Sequence, residues 1–210
     1  MNVRAYGRTA VLVELESVEE AAALHARLTA PGGPTVPGLV ETMPGLRTVL
    51  VRFDPALTDR TRLGQRLAEV WSATVANNAQ ADSTADAVCL RVDYTGPDLD
   101  DVARHTGLTP AEVVAAHQAR QYRIVLIGLA PGFYFLAGGD PRLRVPRRSS
   151  PRVDVPKGAV GLAGELTGIY PRTGPGGWQL IGRVVEDLWH PTRLPAALLT
   201  PGTSIRFTAA

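Results

Sequence analysis

The sequence predicts two parts: a small α/β sandwich over residues 1–80, then a closed or nearly closed β-barrel carrying a helical insert over residues 86–210. Three observations predict this division. Apolar periodicity in the first third switches between two residues and 3.6 residues, so strands and helices alternate there. A polar stretch without periodicity, Asn77 to Asp86, follows and reads as a linker. Beyond Tyr122 the texture changes to short strand-like pieces divided by Pro/Gly corners, and 10 of the chain's 17 prolines fall there.

The elements follow in order. Thr9 to Glu16 alternates, with Val11, Val13 and Leu15 on one face. Ser17-Val18-Glu19-Glu20 has the spacing of a capping box, and a helix with Ala21, Leu24 and Leu28 on one side runs to about Leu28. Pro31-Gly32-Gly33-Pro34 is a loop. Strands at Val36 to Thr42 and Arg47 to Phe53 flank Met43-Pro44-Gly45. A second helix fits Asp59 to Trp71, where Leu63, Leu67, Val70 and Trp71 share a face. This β-α-β-β-α order resembles a split βαβ, ferredoxin-like sandwich. In the second part Ala87 to Tyr94 alternates as a strand. Two short helices follow. The second begins at Thr109-Pro110-Ala111-Glu112, which combines an N-cap, proline at the first helical position and glutamate at the third. Further strands fit Arg123 to Ile127, Ala159 to Leu166, Trp178 to Arg183 and Ser204 to Phe207.

Composition removes several classes of function. The 210 residues are 45% hydrophobic and 20% charged, ordinary for a globular protein. A net charge of +2 points away from nucleic acid. No apolar run is long enough to span a membrane, and a cytoplasmic location is the default expectation. Cys89 is the single cysteine. It lies in an alternating apolar segment and is expected to be a buried, inert thiol. There is no Gly-x-x-x-x-Gly-Lys-Ser/Thr loop, no strand-to-helix Gly-x-Gly-x-x-Gly and no Gly-x-Ser-x-Gly elbow. His25, His105, His117 and His190 show no metal-ligand spacing. Of 22 basic residues only Lys157 is a lysine, and it lacks the setting of a biotin carrier. No complete catalytic machine stands in this chain, and no metal is expected.

Three clusters carry chemistry. The turn Pro131-Gly132 with Phe133 either walls a pocket or forms a barrel corner with a packed aromatic. Arg142, Arg144, Arg147, Arg148 and Arg152 lie among stiffening prolines. Their forks suit carboxylate or phosphate, although a solvated basic loop partly neutralised by Asp140 and Asp154 is the plainer alternative. The third cluster runs from Gly164 to Pro171 and from Gly174 to Trp178. Its glycines let backbone N–H groups approach a ligand, or simply make tight turns, while Tyr170 and Trp178 are amphipathic walls. His117 falls on the apolar side of the capped helix and is a candidate acid or base, or a packing histidine.

Together these segments resemble one family, the 5-oxoprolinase B subunit, also called allophanate hydrolase subunit 1. It includes the sporulation-kinase inhibitor of the bacilli and matches the first half, subdomains C and D, of a carboxyltransferase domain in urea carboxylase. The motifs are Ala130-Pro131-Gly132-Phe133, Pro146-Arg147 with Pro151-Arg152-Val153, Val155-Pro156-x-Gly158, Thr167-Gly168-Ile169-Tyr170-Pro171 and Pro175-Gly176-Gly177-Trp178-x-Leu180-Ile181-Gly182-Arg183. Asp98-Leu99 to His117 and Tyr122 looks like the family's helical insert. The resemblance implies a small α/β domain followed by a cyclophilin-like barrel. It implies ATP-dependent opening of 5-oxo-L-proline to L-glutamate by a hetero-oligomer. The partners would be a second cyclophilin-like barrel chain, of the C-subunit or allophanate hydrolase subunit 2 type, and a lactam-opening A subunit. Processing of allophanate or urea carboxylate, or inhibition of a sensor histidine kinase, are the alternatives it leaves open. Arg147 and Arg152 would then hold an anionic group. Tyr170, Gly176 and Gly177 would orient it, with Trp178, Pro131, Gly132 and Phe133 as walls. The chain departs from the family at Leu166 (usually Gln), Gly174 (Ser), Val184 (Thr) and His190 (Asp), and at Leu129 and Tyr134. Several of these changes remove hydrogen-bonding groups.

Overall fold

The computed structural model describes residues 1–78 and 87–210. The chain divides into two compact units, Met1–Thr84 and Ala85–Ala210. In the first, β1 (Asn2–Tyr6), β2 (Ala10–Glu14), α1 (Val18–Thr29), β3 (Leu39–Pro44), β4 (Thr48–Phe53) and α2 (Arg60–Asn78) follow one another. The sheet order is β1-β2-β4-β3, antiparallel throughout. Alternation puts Val11, Val13, Val49 and Val51 on one face, and both helices bury theirs against it through Leu24, Leu28, Leu63 and Leu67. At α1 Ser17 accepts from the Glu20 backbone as expected, but the Glu20 carboxylate accepts from Glu16 N, one residue before the cap, so only the first half of the expected capping box forms. β1 precedes the strands that the alternation predicts. α2 outruns its predicted end, so the expected linker Asn77 to Asp86 overlaps its last turn, and the remainder, 79–86, lies outside the described residues.

The second unit contains β5 (Val88–Asp93), α3 (Leu99–Thr106), α4 (Pro110–Gln118), β6 (Gln121–Ile127), β7 (Tyr134–Ala137), β8 (Arg152–Val155), β9 (Ala159–Ala163), β10 (Leu166–Ile169), β11 (Gly174–Gly176), β12 (Gln179–Val184) and β13 (Ser204–Ala209). Seven strands close a barrel in the order β10-β7-β6-β13-β5-β12-β9, while β8 and β11 form a separate two-stranded ribbon. Every barrel pair is antiparallel except β5 with β13. The single strand expected at Ala159 to Leu166 is instead a hairpin. Gly164 takes φ +59°, which glycine adopts without strain, and the chain reverses there into β10. Among the described residues no helix is long and apolar enough to cross a membrane.

Cys89 overturns one expectation. It is exposed. β5 does alternate, but Leu90 and Val92 point into the barrel, which turns Cys89 and Arg91 outward. Alternation tells which residues share a face; it does not tell which face turns inward.

Candidate functional site

A barrel strand ordinarily buries only its inward face. β7, β9 and β10 are buried at every position, as is β12 except at Arg183. Their inner side chains, among them Tyr134, Leu136, Val160, Leu162, Ile169 and Ile181, fill the barrel. Their outer face carries a second, aromatic layer. Gly161 and Gly168 are directly paired neighbours on β9 and β10, and Trp178 lies across both. A Cβ on Gly161 would come within 2.8 Å of Trp178 Cβ, and one on Gly168 within 2.8 Å of Trp178 Cζ3 and 3.0 Å of Phe133 Cζ. Two glycines side by side thus make a flat seat for the indole. Phe133 stands 5.7 Å from Trp178 and 4.8 Å from Tyr170, centroid to centroid, with edges toward faces; Phe135 closes the group at 4.7 Å from Phe133. This geometry favours the ring quadrupoles. The Tyr170 hydroxyl leaves no room for a side chain on Gly176. Burial pushes the Tyr170 phenol above its usual pKa, against the pull of the Trp178 backbone, Arg147 and Arg152. The Arg147 guanidinium sits 5.7 Å over the Trp178 ring, a cation–π contact.

The arginine segment is stitched onto this layer by hydrogen bonds to its backbone. Gly164 N donates to Val145 O at 2.7 Å, Arg148 N to Gly177 O at 2.8 Å, and Gln179 Nε2 to Pro146 O at 3.3 Å. The loop after β5 crosses β12 at close range: Gly96 N donates to Ile181 O at 3.2 Å and Asp98 N to Leu180 O at 3.0 Å. That crossing delivers Asp98, only 1% exposed, to the arginines. Asp98 accepts from Arg148 Nη1 at 2.8 Å, from Arg152 Nη1 at 2.8 Å and Nη2 at 2.6 Å, and from Leu180 N at 2.7 Å. Arg142 by contrast folds back on Asp140.

Five of the residues singled out in the sequence therefore meet: Phe133, Tyr170, Gly176, Trp178 and Arg147. Gly177 backs onto the arginine segment at Arg148 and Pro151. Gly132, at φ +81°, is packed under Trp189, and Pro131 is exposed at the turn. The fork of Arg152 grips Asp98, so this arginine is anchored within the chain. In the sequence Asp98 marks only the start of the helical insert; its pairing carries no local signal, because its partners lie 50 and 54 residues away. Two polar atoms at this junction, Arg148 Nε and Gln179 Oε1, are buried without a partner among the described residues.

His117 sits apart, inside the barrel and 0% exposed. Its ring stacks on Phe207 at 4.4 Å, with Nδ1 2.8 Å from Tyr94 Oη and Nε2 3.3 Å from Thr167 Oγ1. Burial lowers its pKa to about 3, so it stays neutral and closed to substrate, which corrects its candidacy as an acid or base to that of a core histidine. The sign of the pH effect follows. The unfolded chain takes up this proton as pH falls through about 6.5, whereas the folded chain resists until about 3. Stability is full above the higher value and declines below it by up to about 1.4 kcal/mol per pH unit. Urea midpoints from pH 7 to pH 4 are expected to fall more steeply in the parent than in His117→Asn. Parallel slopes would contradict a neutral, buried His117.

Beside the aromatic layer a small hollow opens, lined by Tyr134, Lys157, Gly158, Tyr170, Val184 and Trp189 among others. Lys157 is paired there with Asp187 at 2.8 Å, and Tyr134 Oη donates to Leu188 O at 3.0 Å. Two departures from the family resemblance, Tyr134 and Val184, thus shape one hollow. Among the described residues no group of three or more His, Cys, Asp or Glu is arranged to hold a metal. The arrangement is suited to binding and orienting a small anion beside aromatic walls.

Comparison with known families matches residues 1–199 to the carboxyltransferase domain, subdomain C and D. The chain is 37% identical over 207 residues to the 5-oxoprolinase B subunit of Escherichia coli O157:H7, covering 96% of this chain and 92% of that protein. Among solved structures it resembles TTHA0988 at 35% identity and a TM-score of 0.73, over 96% of this chain but only 40% of that one. Kluyveromyces lactis urea carboxylase is similar in fold, with a TM-score of 0.64 at 22% identity, over 99% of this chain and 21% of the enzyme.

Proposed function

We propose that this chain, which belongs to the 5-oxoprolinase B-subunit family and to the family of carboxyltransferase subdomains C and D, is one barrel component of a hetero-oligomeric, ATP-dependent 5-oxoprolinase that opens 5-oxo-L-proline to L-glutamate. On this reading the first unit is a ferredoxin-like sandwich and the barrel is cyclophilin-like. The partners are a second cyclophilin-like barrel protein, of the C-subunit type, and a lactam-opening A subunit.

One observation carries the proposal: Arg147 lies over Trp178, which packs against Phe133 and through it Tyr170, so positive charge and an aromatic layer meet at one place. A compact lactam with one carboxylate has complementary chemistry: an anion for the arginine and a flat apolar ring for the aromatics. This chain contributes binding and orientation. Among the described residues it brings no nucleophile–base pair of its own, and the complex as a whole supplies the bond-breaking step. ATP is a co-substrate of that complex. The sequence lacks a Gly-rich, Lys-bearing phosphate loop, so ATP is assigned to the assembly and not to this chain alone.

The test is co-expression with the second barrel protein and the lactam-opening protein, followed by assay of glutamate release from 5-oxo-L-proline. The two barrel proteins are expected to co-elute, with turnover requiring ATP and all three chains. An assembled complex inert on 5-oxo-L-proline would sink this reading.

A further inference from the structure

We propose that Arg148 and Arg152, held by Asp98, form an anion site beside the Arg147–Trp178 contact, in which the outer edge of Arg148 takes a carboxylate or phosphate group and Asp98 is the positioning residue. This deepens the function proposed above and rests on it for the choice of 5-oxo-L-proline as a probe.

Charge and hydrogen bonding both point to it. One carboxylate serves two guanidiniums, which leaves one positive charge over. Asp101 is the next acid, with Oδ2 3.9 Å from Arg148 Nη1, but it is itself engaged by Arg104. A guanidinium has five N–H donors and no acceptor. Arg152 turns both Nη atoms toward Asp98, whereas Arg148 commits only Nη1. Arg148 remains 30% exposed and Arg152 23%, so solvent reaches both side chains. The buried, unpartnered Arg148 Nε adds to the surplus of donors. Donors without acceptors call for an acceptor-bearing ligand, and the surplus charge calls for an anionic one.

Rigidity separates this site from an ordinary basic loop. The backbone of Arg148 is tied to Gly177 and that of Pro146 to Gln179, and Asp98 is tied at both its N–H and its carboxylate to Leu180. Asp98 neutralises enough charge for two guanidiniums to stand together, and its two oxygens dictate their planes. An anion arriving there meets donors already in place, at little cost in side-chain entropy.

The full-length chain is sufficient for the test, because binding is read without turnover. Arginine Nε–Hε signals are followed by ¹⁵N NMR while inorganic phosphate or 5-oxo-L-proline is titrated in separately. Saturable shifts of Arg148 and Arg152 are expected. A response to phosphate alone identifies a phosphoryl site; a response to 5-oxo-L-proline alone identifies a substrate-carboxylate site. Arg148→Ala leaves Arg152 on Asp98 and is expected to fold, and to raise Kd about tenfold or more. Asp98→Asn gives the sharper distinction. A loose basic patch would bind anions more tightly on losing a negative charge, whereas a positioned site binds them more weakly. Tighter binding by Asp98→Asn, unchanged binding by Arg148→Ala, or no response to either probe would overturn the proposal. Binding that persists in a chain whose assembled complex is inert on 5-oxo-L-proline refutes the enzymatic reading and leaves this site standing.

Discussion

Asp98→Ala is expected to destabilise the barrel unit by about 3–5 kcal/mol, the usual cost of removing one member of a buried ion pair. The loss exceeds that of a surface salt bridge, typically about 0–1 kcal/mol, for a structural reason. Asp98 is 1% exposed and receives two arginines as well as the Leu180 N–H. Its removal leaves two like charges facing each other and a β12 donor without its acceptor. Arg142→Ala is the matched control, since Arg142 pairs with Asp140 while its side chain is 62% exposed. The measurement is urea unfolding in a Trp71→Phe background, where fluorescence comes from Trp178 and Trp189 in the second unit. If Asp98→Ala costs no more than Arg142→Ala, the junction does not hold the arginine segment to the barrel.

Trp178→Ala is expected to cost a similar amount, about 3–5 kcal/mol, because truncating a buried large aromatic leaves a cavity that its surroundings fill only in part. Trp178 is 3% exposed and rests on Gly161 and Gly168. Neither glycine has a side chain that could swing into the space, so relaxation must come from Phe133 and Phe135. The same change removes the surface on which Arg147 lies. Binding of 5-oxo-L-proline is therefore expected to weaken by about tenfold or more, while co-elution with the second barrel protein survives. Stability and binding both at parental levels would show that the aromatic layer is neither a structural seat nor a ligand wall. Loss of co-elution with binding intact would place the partner surface, and not the ligand, at Trp178.

These expected effects show how the information is divided between sequence and fold. Local signals in the sequence are enough for the capped starts of α1 and α4, because a cap is a contact between residues three apart: Ser17 with Glu20, and Thr109 with Glu112. Alternation is enough for β2 and β5, since it depends only on the period of a pleated strand, and short strand-like runs between turn residues are enough to place β4, β6, β12 and β13. The resemblance of short motifs is enough to gather Phe133, Arg147, Tyr170, Gly176 and Trp178 as candidates without any geometry. Tertiary structure decides the rest. It turns Cys89 out and Leu90 in, because the direction of a strand's inner face is set by closure of the barrel and not by the strand's own pattern. It seals His117 behind Phe207, Tyr94 and Thr167, which approach from other elements. It covers the outer face of β9 and β10, so that the paired glycines become the bed of an indole. Above all it brings Asp98 to Arg148 and Arg152 across 50 and 54 residues, where the low dielectric of a buried site turns a carboxylate and two guanidiniums into a fixed junction. No local pattern encodes such a pair, because its energy depends on burial and on partners that only the closed barrel supplies.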